Sequence, residues 1–207
     1  FWFMNMAFKL GVYTAGNWAA AYRERILASF ERLTGGRVYH IYNVPGGVRR
    51  DIPDEKWLDE LEETVKYIED KLSEFDDILF ENYIAHKRLK GIGVMDKEYA
   101  LDEGVTGPNL RATGVESDVR KDDPYLYYSN LDFEVPTLER GDALSRTLIR
   151  RFELEEDLYI LKQLLDIGPP SGEHQVSDSE VGSLPDMEVP KGDSYSHVEA
   201  TIGDFSA

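Results

Sequence analysis

The sequence predicts a mainly α-helical protein, a helical bundle with small peripheral β elements. The clearest helix begins after Pro53, with apolar side chains at intervals of three and four over about six turns and acidic residues on the opposite face. A similar pattern predicts a second long helix over residues 142–166. Two such helices bury their apolar stripes against each other, which favours antiparallel packing. The apolar positions are Trp57, Leu58, Leu61, Val65, Ile68, Leu72, Phe75 and Leu79 in the first helix and Leu148, Phe152, Leu158, Leu161 and Leu165 in the second.

Two further helices are predicted near the start of the chain. Residues 1–10 are apolar enough for a buried helix segment, and a break is expected at 11–16, which begins and ends with glycine. Residues 17–34 continue with apolar side chains near helical spacing. Gly35 and Gly36 then supply a C-terminal stop, because glycine adopts the left-handed conformation that ends many helices.

The predicted β elements are short. VYHIYNV at 38–44 is rich in β-branched and aromatic residues, and RLKGIGVM at 88–95 and NLDFEVPT at 130–137 also indicate strands. SYSHVEATIGDF at 194–205 predicts a fourth strand, in which Gly203 suggests a turn or a close backbone approach.

A short helix and a linker complete the organisation. Asp96 as N-cap and Gly104 as the residue after the last turn predict a helix between them. The polar segment 173–194 is rich in Ser, Asp, Gly and Pro and predicts a linker or mobile loop. It separates a helical core at 1–172 from residues 195–207, the expected start of a further C-terminal part.

The first residues, FWFMNMAFKL, are apolar without a preceding basic region, which is not typical of a signal peptide. The apolar run is also shorter than a membrane span and is interrupted by Asn5 and Lys9. Phe1, Asn5 and Lys9 share one helix face, since they are spaced at i, i+4 and i+8. The abrupt apolar start and a final predicted strand together predict a fragment of a longer protein that exposes apolar surface.

Composition excludes several classes of function. The 207 residues include 40 acidic and 23 basic side chains, a formal net charge of −17, which argues against non-specific binding to nucleic acid or to an anionic membrane surface. The chain has no cysteine, so it cannot supply a disulfide, a cysteine nucleophile or thiolate ligands to zinc or iron–sulfur centres. A redox centre, if one takes part, must be held by another polypeptide.

Common catalytic motifs are missing from the sequence. No two of the four histidines have metal-ligand spacing, so no metal site is predicted. There is no GxSxG elbow and no Walker A motif.

Two loops are unusually dense in glycine and charge. PGGVRRD at 45–51 combines two glycines with two arginines. In TGPNLRATGVESDVRKDDPY at 106–125, Arg111, Arg120 and Lys121 lie among several aspartates. Two interpretations stay open for this segment: a loop locked by Arg–carboxylate pairs, or a surface on which Arg111 and Arg120 anchor a partner protein by bidentate contacts.

These loops, with ASFERLTGGR at 28–37, LDFEVPTLERGD at 131–142 and the helix RTLIRRFELEEDLYILKQLL at 146–165, resemble one family. The run TGP-x-LRA-x-G-V-x-x-D-V-RK-x-x-PY is its most specific part. It is similar to the D subunit of the respiratory NADH:quinone oxidoreductases (complex I), a family related to the large subunit of [NiFe] hydrogenases. The resemblance covers nearly the whole chain except the polar linker.

The resemblance implies a helical bundle of the type shared by the complex I D subunit and the [NiFe]-hydrogenase large subunit. It implies a peripheral position on the cytoplasmic side of the plasma membrane, within an oxidoreductase complex. The partner would be a small subunit that holds a [4Fe–4S] cluster, and quinone would bind between the two, with no cofactor held by this chain. Two alternatives stay open: the large subunit of a membrane-bound [NiFe] hydrogenase, and a non-catalytic structural subunit.

Site residues follow from the resemblance position by position. The family's quinone-ligating His and Tyr lie before the segment that this chain matches, so no residue here takes those roles. Phe1 and Asn5 match cavity-lining positions, and Lys9 stands where the family has an Asp. Val44 replaces an Arg found in many members, and a family His near the cluster matches Tyr39, beside His40. These departures point to a divergent complex with a different electron donor or acceptor.

The resemblance also implies a set of residues at the interface with the cluster-bearing subunit. They are Tyr39, His40, Gly46, Gly47, Arg111, Asp118, Arg120 and Lys121.

Overall fold

The computed structural model describes residues 1–176 and 191–207, and four antiparallel helices form its bundle. The direction of packing follows from side-chain pairs: Lys162 meets Glu69 and Arg151 meets Asp76, so the two long helices run in opposite directions. The mainly α prediction and the bundle are therefore confirmed. The bundle helices are α1 (Trp2–Leu10), α2 (Tyr13–Thr34), α3 (Glu55–Phe75, extended by a π-helical turn, Asp76–Phe80) and α8 (Ala143–Ile167).

Helices α1 and α2 form a tight hairpin. Gly11, at φ 81°, closes α1 in the left-handed conformation, and α2 begins at Tyr13. The predicted break at 11–16 was too long, because Gly16 lies inside α2 and gives space to the ring of Phe8, which a β-carbon there would overlap. Gly35, at φ 81°, ends α2 as predicted.

The bundle core divides into clusters. One cluster joins α1, α2, the π-helical turn and α4 (Tyr83–Leu89) through Ala7, Leu10, Ala15, Phe75, Leu79, Phe80 and Ala85. A second joins α3 to α8 through Val65, Ile68, Leu72 and Leu158. The apolar stripes identified in the sequence thus pack against each other, as the amphipathic pattern requires.

Two predicted strands were wrong. Residues 83–89 form α4 and the chain then turns, so 88–95 contains no strand. Residues 131–138 form no helix or strand and pair with no strand among the described residues. Their backbone N–H groups bond instead to side chains of α8: Asp132 N–H donates to Gln163 and Glu134 N–H to Glu156, each at 2.9 Å.

The observed strands form two small antiparallel hairpins. The predicted strand at 38–44 is reduced to β1 (Asn43–Val44), which pairs with β2 (Gly47–Val48). The predicted strand at 194–205 is a hairpin of β3 (His197–Ala200) and β4 (Gly203–Ser206), so Gly203 does follow a turn. The predicted linker at 173–194 lies mostly outside the described residues.

Three more short helices follow α4 before α8: α5 (Lys97–Asp102), α6 (Gly107–Arg111) and α7 (Val119–Asp122). Helix α5 confirms the prediction of its N-cap, because the carboxylate of Asp96 accepts the N–H of Tyr99 at 2.8 Å.

The Asp96→Ala variant should lose about 1 kcal/mol of unfolding free energy, since the cap satisfies an otherwise unpaired N–H at the helix start. Denaturant unfolding measures this loss. The control is Asp102→Ala, which removes an exposed carboxylate from the last turn of the same helix and should change stability by less than about 0.5 kcal/mol. Equal losses in the two variants would contradict a capping role.

Candidate functional site

The charged segment at 106–125 is folded inward around α6 and α7. Asp118 caps α7 by accepting the N–H of Arg120 at 2.9 Å. Arg111 and Asp118 are 1 % and 2 % exposed, which is unusual for charged side chains and requires that they be paired.

Arg111 is the centre of this buried cluster. Its Nε donates to Glu153 Oε1 at 2.7 Å, its Nη1 to the carbonyl of Ser117 at 2.7 Å and its Nη2 to Glu199 Oε1 at 2.9 Å. Three separate parts of the chain (α8, the loop before α7 and strand β3) are thereby joined through one guanidinium group. The planar fork of arginine suits this, because its N–H groups point in fixed and different directions.

Arg120 forms the second half of the cluster. It makes a bidentate pair with Asp118, at 3.0 Å from Nε and 2.7 Å from Nη2, and its Nη1 donates to Asp157 at 2.8 Å. Burial alone would raise the pKa of Asp118, but the hydrogen bonds and charge of Arg120, helped by Arg111, outweigh it and lower that pKa.

The pKa of Glu153 is shifted in the opposite direction to that of Asp118. Burial raises the pKa of its carboxyl above the ordinary value, and the charge of Arg111 only partly offsets that rise. Glu153 is therefore more easily protonated than an ordinary carboxylate, as is Asp157, whose pKa is also raised by burial.

A cavity of about 710 Å³ lies between the bundle helices, and the charged cluster forms part of its wall. Apolar side chains of α1, α2, α3 and α8 line most of it, among them Trp2, Ile26, Val65 and Leu158. An apolar space of this size with a few convergent charged groups has the usual character of a ligand pocket.

Of the three predicted quinone-cavity residues, only Phe1 lines the cavity described above. Phe1 lines the cavity but is 69 % exposed. Asn5 and Lys9 are on α1 and do not line it. Their assignment to a site shared with a partner stays a prediction.

The predicted interface residues separate into two groups. Tyr39 is 82 % exposed, Gly46 lies in the turn of the β1–β2 hairpin and Gly47 begins β2, both glycines at positive φ. His40 stacks on Phe30 with 4.3 Å between ring centres. Lys121 is also exposed. All five lie where another protein could reach part of them.

Arg111, Asp118 and Arg120 belong to the other group. Of the two interpretations left open by the sequence, the structure shows the loop locked by Arg–carboxylate pairs. Both guanidinium groups are used within the chain, so a charge reversal at Arg111 and Arg120 would break the fold of this region before it tested a contact with a partner. That this loop meets a cluster-bearing protein stays a prediction, for which Lys121 is an exposed positive charge.

The sequence did not single out Glu153, Asp157 or Glu199. Their partners lie 42, 37 and 88 residues away in the chain, so no local pattern connects them. One signal was available in α8: Arg150, Glu153 and Asp157 follow at intervals of three and four, which places charged side chains along one face of a helix.

A histidine clasp holds the β3–β4 hairpin against the segment after α7. His197 Nε2 lies 3.0 Å from Asp123 Oδ2, and Nδ1 lies 3.2 Å from Asp204 Oδ2. Both nitrogens can donate only in the imidazolium form. The hydrogen bonds to Asp123 and Asp204 accordingly raise the pKa of His197 above its ordinary value of 6.5.

The stabilisation from this clasp is fully present below pH 6.5 and should be lost as the pH rises through the raised pKa of His197. An NMR titration of the His197 ring proton measures that pKa directly. The Asp123→Asn variant removes the larger cause of the shift and should bring the pKa closer to 6.5. An unchanged pKa in the variant would show that Asp123 is not its source.

Residues 9–207 match the sequence family described as the 49 kDa subunit of respiratory-chain NADH dehydrogenase. The chain belongs to this family. The D subunit of NADH-quinone oxidoreductase from Thermosipho melanesiensis is 46 % identical over 203 residues, which cover 98 % of this chain and 54 % of that protein. The D subunit from Anaplasma phagocytophilum is 38 % identical, over 94 % of this chain and 54 % of that protein.

A solved structure is more similar still. A chain in the structure of the membrane-bound sulfane sulfur reductase, an archaeal respiratory membrane complex, is 66 % identical and superposes with a TM-score of 0.96, over 100 % of this chain and 55 % of that one. The fold is thus of the complex I D-subunit type, and these relatives favour that assignment over the hydrogenase alternative. The chain spans about half the length of the relatives it matches. None of its described helices has the length and apolar character to cross a bilayer.

Proposed function

We propose that this chain forms part of the electron-acceptor site of a respiratory membrane oxidoreductase, beside a [4Fe–4S] cluster held by a partner protein. The observation that carries the proposal is similarity over the whole chain, at 66 % identity, to a chain of a respiratory membrane complex. None of these 207 residues is a cysteine, so the cluster thiolates would come from outside this segment. The complex would lie at the cytoplasmic side of the membrane.

The exposed loops give this chain its docking surface for the partner. Tyr39 and the β1–β2 hairpin follow α2 in the chain, with Tyr39 and Gly46 exposed, and Lys121 is exposed on α7. The buried Arg111 cluster holds α6, α7 and β3 in fixed positions behind this surface. The cluster of the partner supplies single electrons, and the role of this chain is to position the acceptor and provide protons, for which Glu153 is a candidate.

Two acceptors are candidates. The names of the curated relatives favour a quinone. The higher identity to the sulfane sulfur reductase chain favours a sulfane sulfur compound, as does the replacement of the family's Asp by Lys9. A cation at this position suits an anionic polysulfide, whereas a neutral quinone gains nothing from it.

The purified complex should therefore be assayed with a short-chain quinone and with inorganic polysulfide as alternative acceptors. If polysulfide is the acceptor, Lys9→Gln should raise its KM severalfold while leaving quinone reduction unchanged. Lys87→Gln removes a lysine from the surface of α4 and serves as the control. A complex that reduces neither acceptor would refute the proposal, and a normal KM in Lys9→Gln would remove Lys9 from the acceptor site.

A further inference from the structure

Arg150, on α8, is a buried arginine that has no carboxylate partner among residues 1–176 and 191–207. Its side chain lines the cavity and is 8 % exposed. Nη1 donates to the carbonyl of Arg146 at 2.6 Å and Nη2 to the amide oxygen of Asn109 at 3.3 Å, but Nε has no acceptor. Its guanidinium carbon lies 4.5 Å from the ring centre of Trp2, so one face of the charge is covered by an aromatic side chain.

The other buried arginines of the described residues all have carboxylate partners. Arg111, Arg120 and Arg151 each pair with at least one carboxylate within 3 Å. Burial of an arginine without an anion is costly, and this desolvation lowers the pKa of Arg150. A buried guanidinium group without a counter-ion, in the wall of an open space, indicates that its anion belongs to a molecule that enters the cavity.

We propose that Arg150 is the anion-binding residue of this cavity, and that its ligand is a small amphipathic acid: a carboxylate that bonds the guanidinium group, carried on an apolar body that fills the space between the helices. This site lies between the bundle helices, away from the exposed loops assigned above to the partner, although Glu153, the proposed proton donor, also lines the cavity. Its test measures binding without turnover, so its failure can be told from a failure of the proposed function.

Charge favours a carboxylate over a phosphate. The neighbouring cluster contains two arginines and four carboxylates, namely Arg111, Arg120, Asp118, Glu153, Asp157 and Glu199. A dianion beside this excess of negative charge would be repelled more strongly than a monoanion. Nη1 and Nη2 each have a second N–H, so the guanidinium group can bond a carboxylate while it keeps its bonds to Arg146 and Asn109.

Size favours a small molecule over a polypeptide. One turn of helix with its side chains fills roughly 400–600 Å³, from a diameter of about 10–12 Å and a pitch of about 5.4 Å. The cavity of about 710 Å³ would hold less than two turns. An extended segment would bring unpaired backbone N–H and C=O groups against walls that are mostly apolar, which is unfavourable. An alkyl chain carries no such groups.

The test uses dodecanoate as the probe and dodecanol as its uncharged counterpart, with the full-length protein in the assembly in which it is isolated. Calorimetry should show that the wild type binds dodecanoate at least tenfold more tightly than dodecanol. In Arg150→Gln the preference should disappear while dodecanol binding is kept, which also shows that the cavity is intact. Arg150→Lys keeps the charge without the fork and should show an intermediate preference.

Arg140→Gln removes a positive charge at an exposed position and should keep the full preference. Carboxyl-labelled dodecanoate observed by NMR gives a second measurement, since the chemical shift of its carboxylate should change on binding to the wild type but not to Arg150→Gln. The proposal is overturned if the wild type binds acid and alcohol equally, or if Arg150→Gln retains the preference. It is also overturned if the full-length protein excludes both probes, the result expected of a cavity already filled by polypeptide.

Discussion

Replacement of Arg111 by Ala should lower the free energy of unfolding by about 3–5 kcal/mol. Removal of one partner from a buried ion pair is this costly because the remaining charges stay buried without compensation. Here the variant would leave Glu153 and Glu199, which are both largely buried, without their main cation, and the carbonyl of Ser117 without its donor. Chemical denaturation monitored by circular dichroism measures the loss.

The matched control is Arg49→Ala, at an exposed arginine beside the β1–β2 hairpin, which should change stability by no more than about 0.5 kcal/mol. Arg111→Lys refines the test. A lysine keeps the charge but cannot reach three acceptors in different directions, so it should recover only part of the lost stability. If Arg111→Ala proves as mild as Arg49→Ala, the cluster does not hold these elements together.

The sequence predicted the long helices because their evidence is local. The spacing of Trp57, Val65 and Leu72 repeats through α3, and burial of that stripe is what the bundle achieves. The strands at 88–95 and 130–137 failed because a strand needs a partner that no local pattern reveals. At Gly91 and Asp132 the backbone N–H groups bond to the side chains of Asp142 and Gln163 instead of a neighbouring strand.

In the candidate site, too, local features could be predicted from the sequence and long-range contacts could not. Arg111, Asp118 and Arg120 lie within ten residues, so their density of charge was visible in the sequence. Whether they faced inward or outward was not, because that depends on Glu153 and Glu199, which are brought to them by α8 and the β3–β4 hairpin. The motif located the site, and only the tertiary contacts showed that its arginines pair with carboxylates inside the chain.

The approach of the β3–β4 hairpin to α6 depends on a pair of glycines. Gly107, at φ 62°, faces the backbone of Gly203, and a β-carbon at Gly107 would overlap the Cα and N of Gly203. The hairpin is also held by Thr106, whose hydroxyl accepts the N–H of Asp204 at 3.0 Å. Since β3 carries Glu199, any displacement of the hairpin moves a carboxylate away from Arg111.

Gly107→Ala should therefore cost about 3 kcal/mol or more: about 1–2 kcal/mol for a left-handed alanine, and the rest for displacement of the hairpin. Gly104→Ala separates the two contributions. Gly104 has almost the same φ, 67°, but nothing lies within 4 Å of its β-carbon position, so its replacement should cost only the conformational part. The difference between the two unfolding free energies measures the close approach alone. In Gly107→Ala, amide exchange of β3 should become faster together with that loss, because the strand is no longer docked. If the two alanine variants are equally stable, the contact between Gly107 and Gly203 does not fix the hairpin, and Glu199 is held by its ion pair with Arg111.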